Sequence, residues 1–209
     1  MILIEGPQTT QVASGLIARG GVVGFLTDTF YGLGADPFDK SAVRRIGSLK
    51  GRDAGKPILV LIGDEAEAER FVEQRSEAFN IAVAAYWPGP LTLVVAARAD
   101  VPEEITAGSG TVGLRLPGDE SVREFVRSCG GALTATSANP AGAPPALTAA
   151  EVARYFPTAL DLIIDGGAAR SDRPSTVLDT SGQRPRLIRE GAVSRRRLQE
   201  TLRPLGFEF

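Results

Sequence analysis

Short runs rich in β-branched residues alternate with segments of helical periodicity along nearly the whole chain, and this alternation limits the fold more than any other feature. The runs VVGFL (22–26), ILVLI (58–62), LTLVVAA (91–97), TVGLRLP (111–117), ALTA (132–135), LIID (162–165), STVLDT (175–180) and RLIRE (186–190) read as strands. Between them, helices are expected around 9–19, 41–49, 64–72, 76–86, 119–129 and 148–156, with a last one over SRRRLQETL. Strands late in the chain follow one another without helices between them, which predicts antiparallel pairs. The fold class is therefore α/β or mixed α+β, with parallel and antiparallel strands in one twisted arrangement and helices flanking it. Across the 209 residues there is no internal repeat, low-complexity linker or clear boundary, so a single domain over 1–209 is expected.

Local signals refine the pattern. Val12, Leu16 and Ile17 fall on one helical face, closed by Gly20 and Gly21. Val43, Ile46 and Leu49 make the inward face of the next helix, and Asp119 is a natural cap for a helix carrying Val122, Phe125, Val126 and Cys129. Thr148 and Glu151 have capping-box spacing. TDTFYGLGADPFD, with its glycines, proline and aspartates, reads as a turn-rich loop, and WPGP as a helix stop with a core Trp87.

The chain contains no histidine, and that removes whole mechanisms. There is no histidine base, no Ser–His or Cys–His pair and no histidine-held zinc or haem. Cys129 alone builds neither a disulfide nor a thiolate site, and it points to a reducing, cytoplasmic setting. No apolar run reaches the roughly 18 residues of a membrane span. A metal in such a chain is a hard cation on carboxylates or substrate phosphates, which points to magnesium. The net charge of −2 excludes a protein coated in cations, though not a local basic patch.

Such a patch exists. LKGRDAGKP places Lys50, Arg52 and Lys56 around two glycines just before a buried strand. By itself it is a solvated turn or a seat for an anion. Arg115 stands inside an otherwise apolar strand, where a charge is costly unless it is paired or reaches a cleft. Arg189 raises the same question from another strand. Thr27 and Thr29 follow a strand, where open α/β sheets bind ligands. Ser137 and Asn139 supply a hydroxyl and a carboxamide, which in isolation more often stabilise a turn. GSGTVG matches the dinucleotide pattern but lacks the preceding strand and following helix, and no P-loop occurs. If these segments converge, a histidine-free site would act by positioning and charge stabilisation, which suits nucleotidyl or phosphoryl transfer.

As an ordered set, TDTFYGLG, LKGRDAGKPILVLI, WPGPLTLVV, TVGLRLP, TSANPAGAPP, STVLDT and LIREGAVS resemble the YrdC family of threonylcarbamoyl-AMP synthases over residues 10–194. The resemblance implies a YrdC-like (DHBP-synthase-like) fold around a basic concave cavity. It also implies condensation of L-threonine, bicarbonate and ATP to threonylcarbamoyl-AMP and pyrophosphate, with Mg2+ accompanying the nucleotide. The product would serve N6-threonylcarbamoyladenosine formation at position 37 of tRNA, through a separate transferase complex. By the same resemblance Lys50 and Arg52 carry the catalytic basic signature, and Arg52, Lys56, Thr111, Ser137, Asn139 and Arg189 contact ATP. Thr29, Arg115, Ala135 and Ser175 fall on the threonine side, Ala135 through its backbone. Leu26 replaces a usual proline, and Leu61 stands where some members have a ligand-side histidine. The rival expectation is a non-catalytic superfamily member that binds RNA or tRNA on the basic face. Truncating Arg52 or Arg115 to alanine is expected to abolish activity with little loss of folding.

Overall fold

The computed structural model describes residues 1–51, 56–169 and 173–206. Eleven strands among them form two sheets. The first contains β1 (Ile2–Ile4), β2 (Val23–Leu26), β3 (Tyr31–Gly34), β8 (Thr136–Ser137) and β9 (Leu162–Asp165) in the order β1-β9-β2-β3-β8. The second contains β4 (Leu59–Ile62), β5 (Leu91–Ala96), β6 (Thr111–Arg115), β7 (Ala132–Thr134), β10 (Thr176–Asp179) and β11 (Arg186–Arg189) in the order β11-β10-β5-β6-β4-β7. Both are mixed. β9 runs parallel to β1 and β2, whereas β2–β3 and β10–β11 are antiparallel.

The chain passes directly from the second sheet to the first between β7 and β8, with Ala135 alone in between. The Ala135 N–H donates to the Leu59 carbonyl (2.8 Å), so the crossing point is tied to β4. One hydrophobic cluster draws on both sheets, with Tyr31, Leu33 and Ile163 from the first and Val60, Leu93, Val112, Leu114 and Leu178 from the second. A second cluster joins Val23, Phe25, Leu162 and Ile164 to Leu61 and Leu133, and helices close over it.

Among the described residues seven α-helices flank the sheets: α1 (Pro7–Ile17), α2 (Lys40–Lys50), α3 (Glu77–Tyr86), α4 (Glu103–Thr106), α5 (Glu120–Ser128), α6 (Ala149–Tyr155) and α7 (Arg195–Leu202). Their starts follow the side chains that can satisfy the unpaired N–H groups of a first turn. Asp39 accepts from Ser41 and Ala42, Asp119 from Ser121, and Thr148 from Glu151 (3.2 Å). The Glu151 carboxylate reaches back one residue beyond the cap, to the Leu147 N–H (2.6 Å). α2 ends at Gly51 in the left-handed region (φ 57°), a conformation that favours glycine.

Several expectations need correction. Tyr31–Gly34, read as loop, is a fully buried strand paired with β2. β1 and the two-residue β8 were not expected as strands at all. The segment from 65 to 70 forms a 3-10 helix. Val12 is 41% exposed; α1 turns Thr9 and Ala13 inward together with the expected Ile17. Trp87 is a core residue as expected, and its indole N–H donates to the Leu91 carbonyl (2.8 Å). Among the described residues no helix is long and apolar enough to cross a membrane.

Candidate active site

The period-two alternation of a strand sends neighbouring residues to opposite faces, and in the second sheet it separates core from site. On β6, Val112 and Leu114 enter the core while Thr111, Gly113 and Arg115 face a cavity of about 510 Å³. On β5, Leu91, Leu93 and Val95 go inward, whereas Thr92 and Val94 line the cavity. On β10, Val177 and Asp179 line it, with Ser175 just before the strand. The pairing of β10 with β11 carries a bulge, Val177 opposing Arg189 and Leu178 opposing Leu187. That extra residue lets both Ile188 and Arg189 reach the cavity. The opposite wall comes from the β2–β3 turn, with Thr27, Thr29 and Phe30, and from the first sheet, with Tyr31, Thr136 and Ser137. The volume lies in the roughly 300–1,000 Å³ range of small-molecule sites.

Arg115 is 2% exposed and forms an ion pair with Asp28, Nη1 to Oδ1 at 3.0 Å. The contact lacks hydrogen-bond alignment, and Arg115 Nε and Nη1 and Asp28 Oδ1 are buried without a hydrogen-bond partner. Asp28 is held from behind by the Gly118 N–H on Oδ2 (3.2 Å). Burial pulls the Arg115 guanidinium below its ordinary pKa; Asp28 opposes that shift and the nearby Arg189 charge adds to it. A guanidinium stays protonated at neutral pH regardless. Buried, charged and incompletely hydrogen-bonded, it offers donors that a carboxylate on a ligand would satisfy.

The hydroxyl groups around it have fixed polarity. Thr27 gives its one proton to the Phe30 carbonyl (2.7 Å) and accepts from the Thr29 N–H (3.1 Å). The Thr29 hydroxyl, 3.1 Å from Thr27 Oγ1, must therefore be the donor of that pair. Its oxygen is left to accept from a ligand N–H or O–H. Arg189 donates to the Ser175 carbonyl (2.8 Å through Nη2) and reaches Ser175 Oγ (3.3 Å). Ser175 Oγ also meets Thr92 Oγ1 at 3.0 Å. Burial of its contact side lowers the Arg189 pKa.

Of the residues singled out in the sequence, Thr29, Thr111, Arg115, Ala135, Ser137, Ser175 and Arg189 line this one cavity. Asn139 is buried beside it in the loop behind Ser137, and Lys50, at the end of α2, is buried against that loop. Lys56 is exposed, next to Pro57 of the lining. Arg52 lies outside the described residues. Sequence reasoning missed Thr92, Asp28 and the apolar floor of Val94, Val177 and Ile188. Thr92 carried a signal, a hydroxyl inside an apolar strand in phase with no core residue. Leu61 is fully buried in the core, so its position offers no ligand contact.

The Sua5/YciO/YrdC family model, described as "Telomere recombination", matches residues 15–191. The threonylcarbamoyl-AMP synthase of Pyrococcus abyssi is 35% identical over 192 residues, 92% of this chain and 56% of that protein. The protein of the same name from Thiobacillus denitrificans is 40% identical over 163 residues, 78% of this chain and 86% of its own. The crystal structure of P. abyssi Sua5 complexed with L-threonine superposes with a TM-score of 0.90 at 34% identity, covering 97% of this chain and 60% of that one. E. coli YciO shares the fold, with a TM-score of 0.82 at 23% identity. The chain thus spans little more than half of the archaeal relative and most of the bacterial one.

Proposed function

The chain belongs to the Sua5/YciO/YrdC family, and on that premise we propose that it is an L-threonylcarbamoyladenylate synthase, a nucleotidyltransferase that joins L-threonine, bicarbonate and ATP. The observation that carries this reading is Arg115: a buried guanidinium whose Nε and Nη1 have no hydrogen-bond partner, at a cavity that Arg189 also lines. The relatives named above bear the synthase name, and one was solved with L-threonine bound.

The chemistry follows from the donors present. Arg115 takes the carboxylate of threonine as a fixed fork, a geometry lysine lacks. The acceptor face of Thr29 Oγ1 suits the amine, or the N–H of the carbamate formed when that amine attacks the carbon of bicarbonate, a C–O bond breaks and water leaves. A carbamate oxygen then attacks the α-phosphorus of ATP, the bond to the β-phosphate oxygen breaks, and pyrophosphate leaves. The nucleophile is already anionic, so the absence of histidine costs nothing at this step. What the site must do is hold two anions together, and Arg189, Arg52 and Lys56 serve the phosphates in this reading, with Ser137 and Thr111 on the nucleotide. The Ala135 backbone and Ser175 border the amino acid.

Magnesium is expected with the nucleotide. In this reading the ion enters on the triphosphate. When bound it would neutralise phosphate charge as pyrophosphate departs. The product would be consumed in N6-threonylcarbamoyladenosine formation on tRNA by a transferase complex, in the cytoplasm.

Incubation with threonine, bicarbonate and Mg-ATP tests the reading. Pyrophosphate release that requires all three substrates is expected; threonine-independent turnover, or none from folded protein, overturns it.

A further inference from the structure

Lys50 is 5% exposed, although it is a lysine at the end of a surface helix. It is not among the cavity-lining residues. Its ammonium donates to the backbone carbonyls of Ser137 and Asn139, the latter at 2.8 Å. Its own carbonyl accepts from the Ala141 N–H (2.7 Å). One residue thus grips the 137–141 segment from both its backbone and its side chain. The same loop is closed internally by Asn139, whose Nδ2 donates to the carbonyls of Pro140 (2.9 Å) and Ala143 (2.7 Å). Those two acceptors fix the orientation of the carboxamide, so its Oδ1, buried without a partner, remains an acceptor for something else.

We propose that Lys50 is a positioning residue: its ammonium builds the loop that presents Ser137 and Asn139, in place of touching the substrate or the reacting phosphate. The physical reason is a mismatch in the backbone. A tight loop that turns the carbonyls of Ser137 and Asn139 toward one point leaves acceptors that need donors, and a buried carbonyl without one is costly. An ammonium supplies several donors from a single atom, and its charge also suits the carbonyl end of α2. The consequence is mechanical coupling. Lys50 is the last residue of α2, so the end of that helix and the frame of the Ser137 loop meet in one residue.

This inference rests on the synthase reading for its ligand, but its test does not require turnover. In wild-type protein labelled with ¹⁵N-lysine, the Nζ resonance of Lys50, one of three lysines in the chain, is expected to be protected from exchange and to stay unshifted when a non-hydrolysable ATP analogue binds. Lys50→Met, which keeps the length and removes the charge, is expected to weaken the analogue by about tenfold or more, or 1.4 kcal/mol per decade, with threonine affinity kept within about twofold. At saturating ATP most of kcat should return, giving a KM effect. A shift of the Lys50 resonance on analogue binding would overturn the proposal. So would unchanged analogue affinity in Lys50→Met, or a loss of about a hundredfold in kcat at saturation. If the variant does not fold, the wild-type resonance decides alone. Because analogue binding is read without adenylate formation, failure of the brace and failure of the synthase reading are seen separately.

Discussion

Arg115, on the cavity wall, is ion-paired with Asp28. Arg115→Lys keeps the charge but cannot present two parallel donors from a fixed plane. Its threonine KM is expected to rise by about tenfold or more, about 1.4 kcal/mol per decade, with ATP KM little changed in steady-state kinetics. Arg115→Ala is different. It leaves a carboxylate oxygen buried without its cation, so a loss on the order of 3 kcal/mol is expected in urea unfolding besides the loss of activity. The residue stands alone in an apolar strand and the sequence flags it for that reason, yet nothing in the sequence says that Asp28, 87 positions earlier, is its partner. Little loss of folding is what the sequence leads one to expect of Arg115→Ala; the Asp28 contact replaces that expectation with a measurable loss.

At the scale of elements, close approach of backbones explains both what was legible and what was not. Helix caps are local, and Asp119 and Thr148 were readable because each acts within three residues of itself. The Tyr31–Gly34 strand was not readable, because Gly32 and Gly34 look like turn residues. For Gly34 the reason lies elsewhere: a Cβ there would sit 2.8 Å from Phe25 Cε1, so the glycine makes room for a ring on the strand alongside. In the same way, the site residues on β6 and β10 could be named singly, but their convergence depends on the order β11-β10-β5-β6, which no local pattern encodes. Gly191 extends the argument to a test. A Cβ there would meet Pro174 and lie 2.7 Å from the Ser175 carbonyl carbon and the Thr176 nitrogen. The Gly191 N–H also donates to Thr176 Oγ1 (2.9 Å). Gly191→Ala is therefore expected to displace the segment carrying Ser175, lowering both the melting temperature and threonine affinity; calorimetry and binding titration of one sample check both.

For the whole molecule, two buried groups set a limit at high pH. Burial pushes the Cys129 thiol up to about 12 and the Tyr31 phenol up to about 12. A folded-state pKa above the unfolded value stabilises the fold at pH below the unfolded pKa, and that contribution fades as pH rises through the folded one. Stability to urea is therefore expected to hold through neutrality and to fall progressively between about pH 9 and 12, with a shallower fall in Cys129→Ala. The two sheets that bury these groups also bring Thr29, Arg115, Ser175 and Arg189 to one cavity, and the central claim is that this cavity joins three small molecules. The most direct measurement supplies ¹³C-bicarbonate, L-threonine and Mg-ATP and follows the product by mass spectrometry and ¹³C NMR. A carbamoyl adenylate carrying the label in its carbonyl and the threonine moiety on its nitrogen is the expected result. Label absent from any adenylate, or an adenylate formed without threonine, would contradict it.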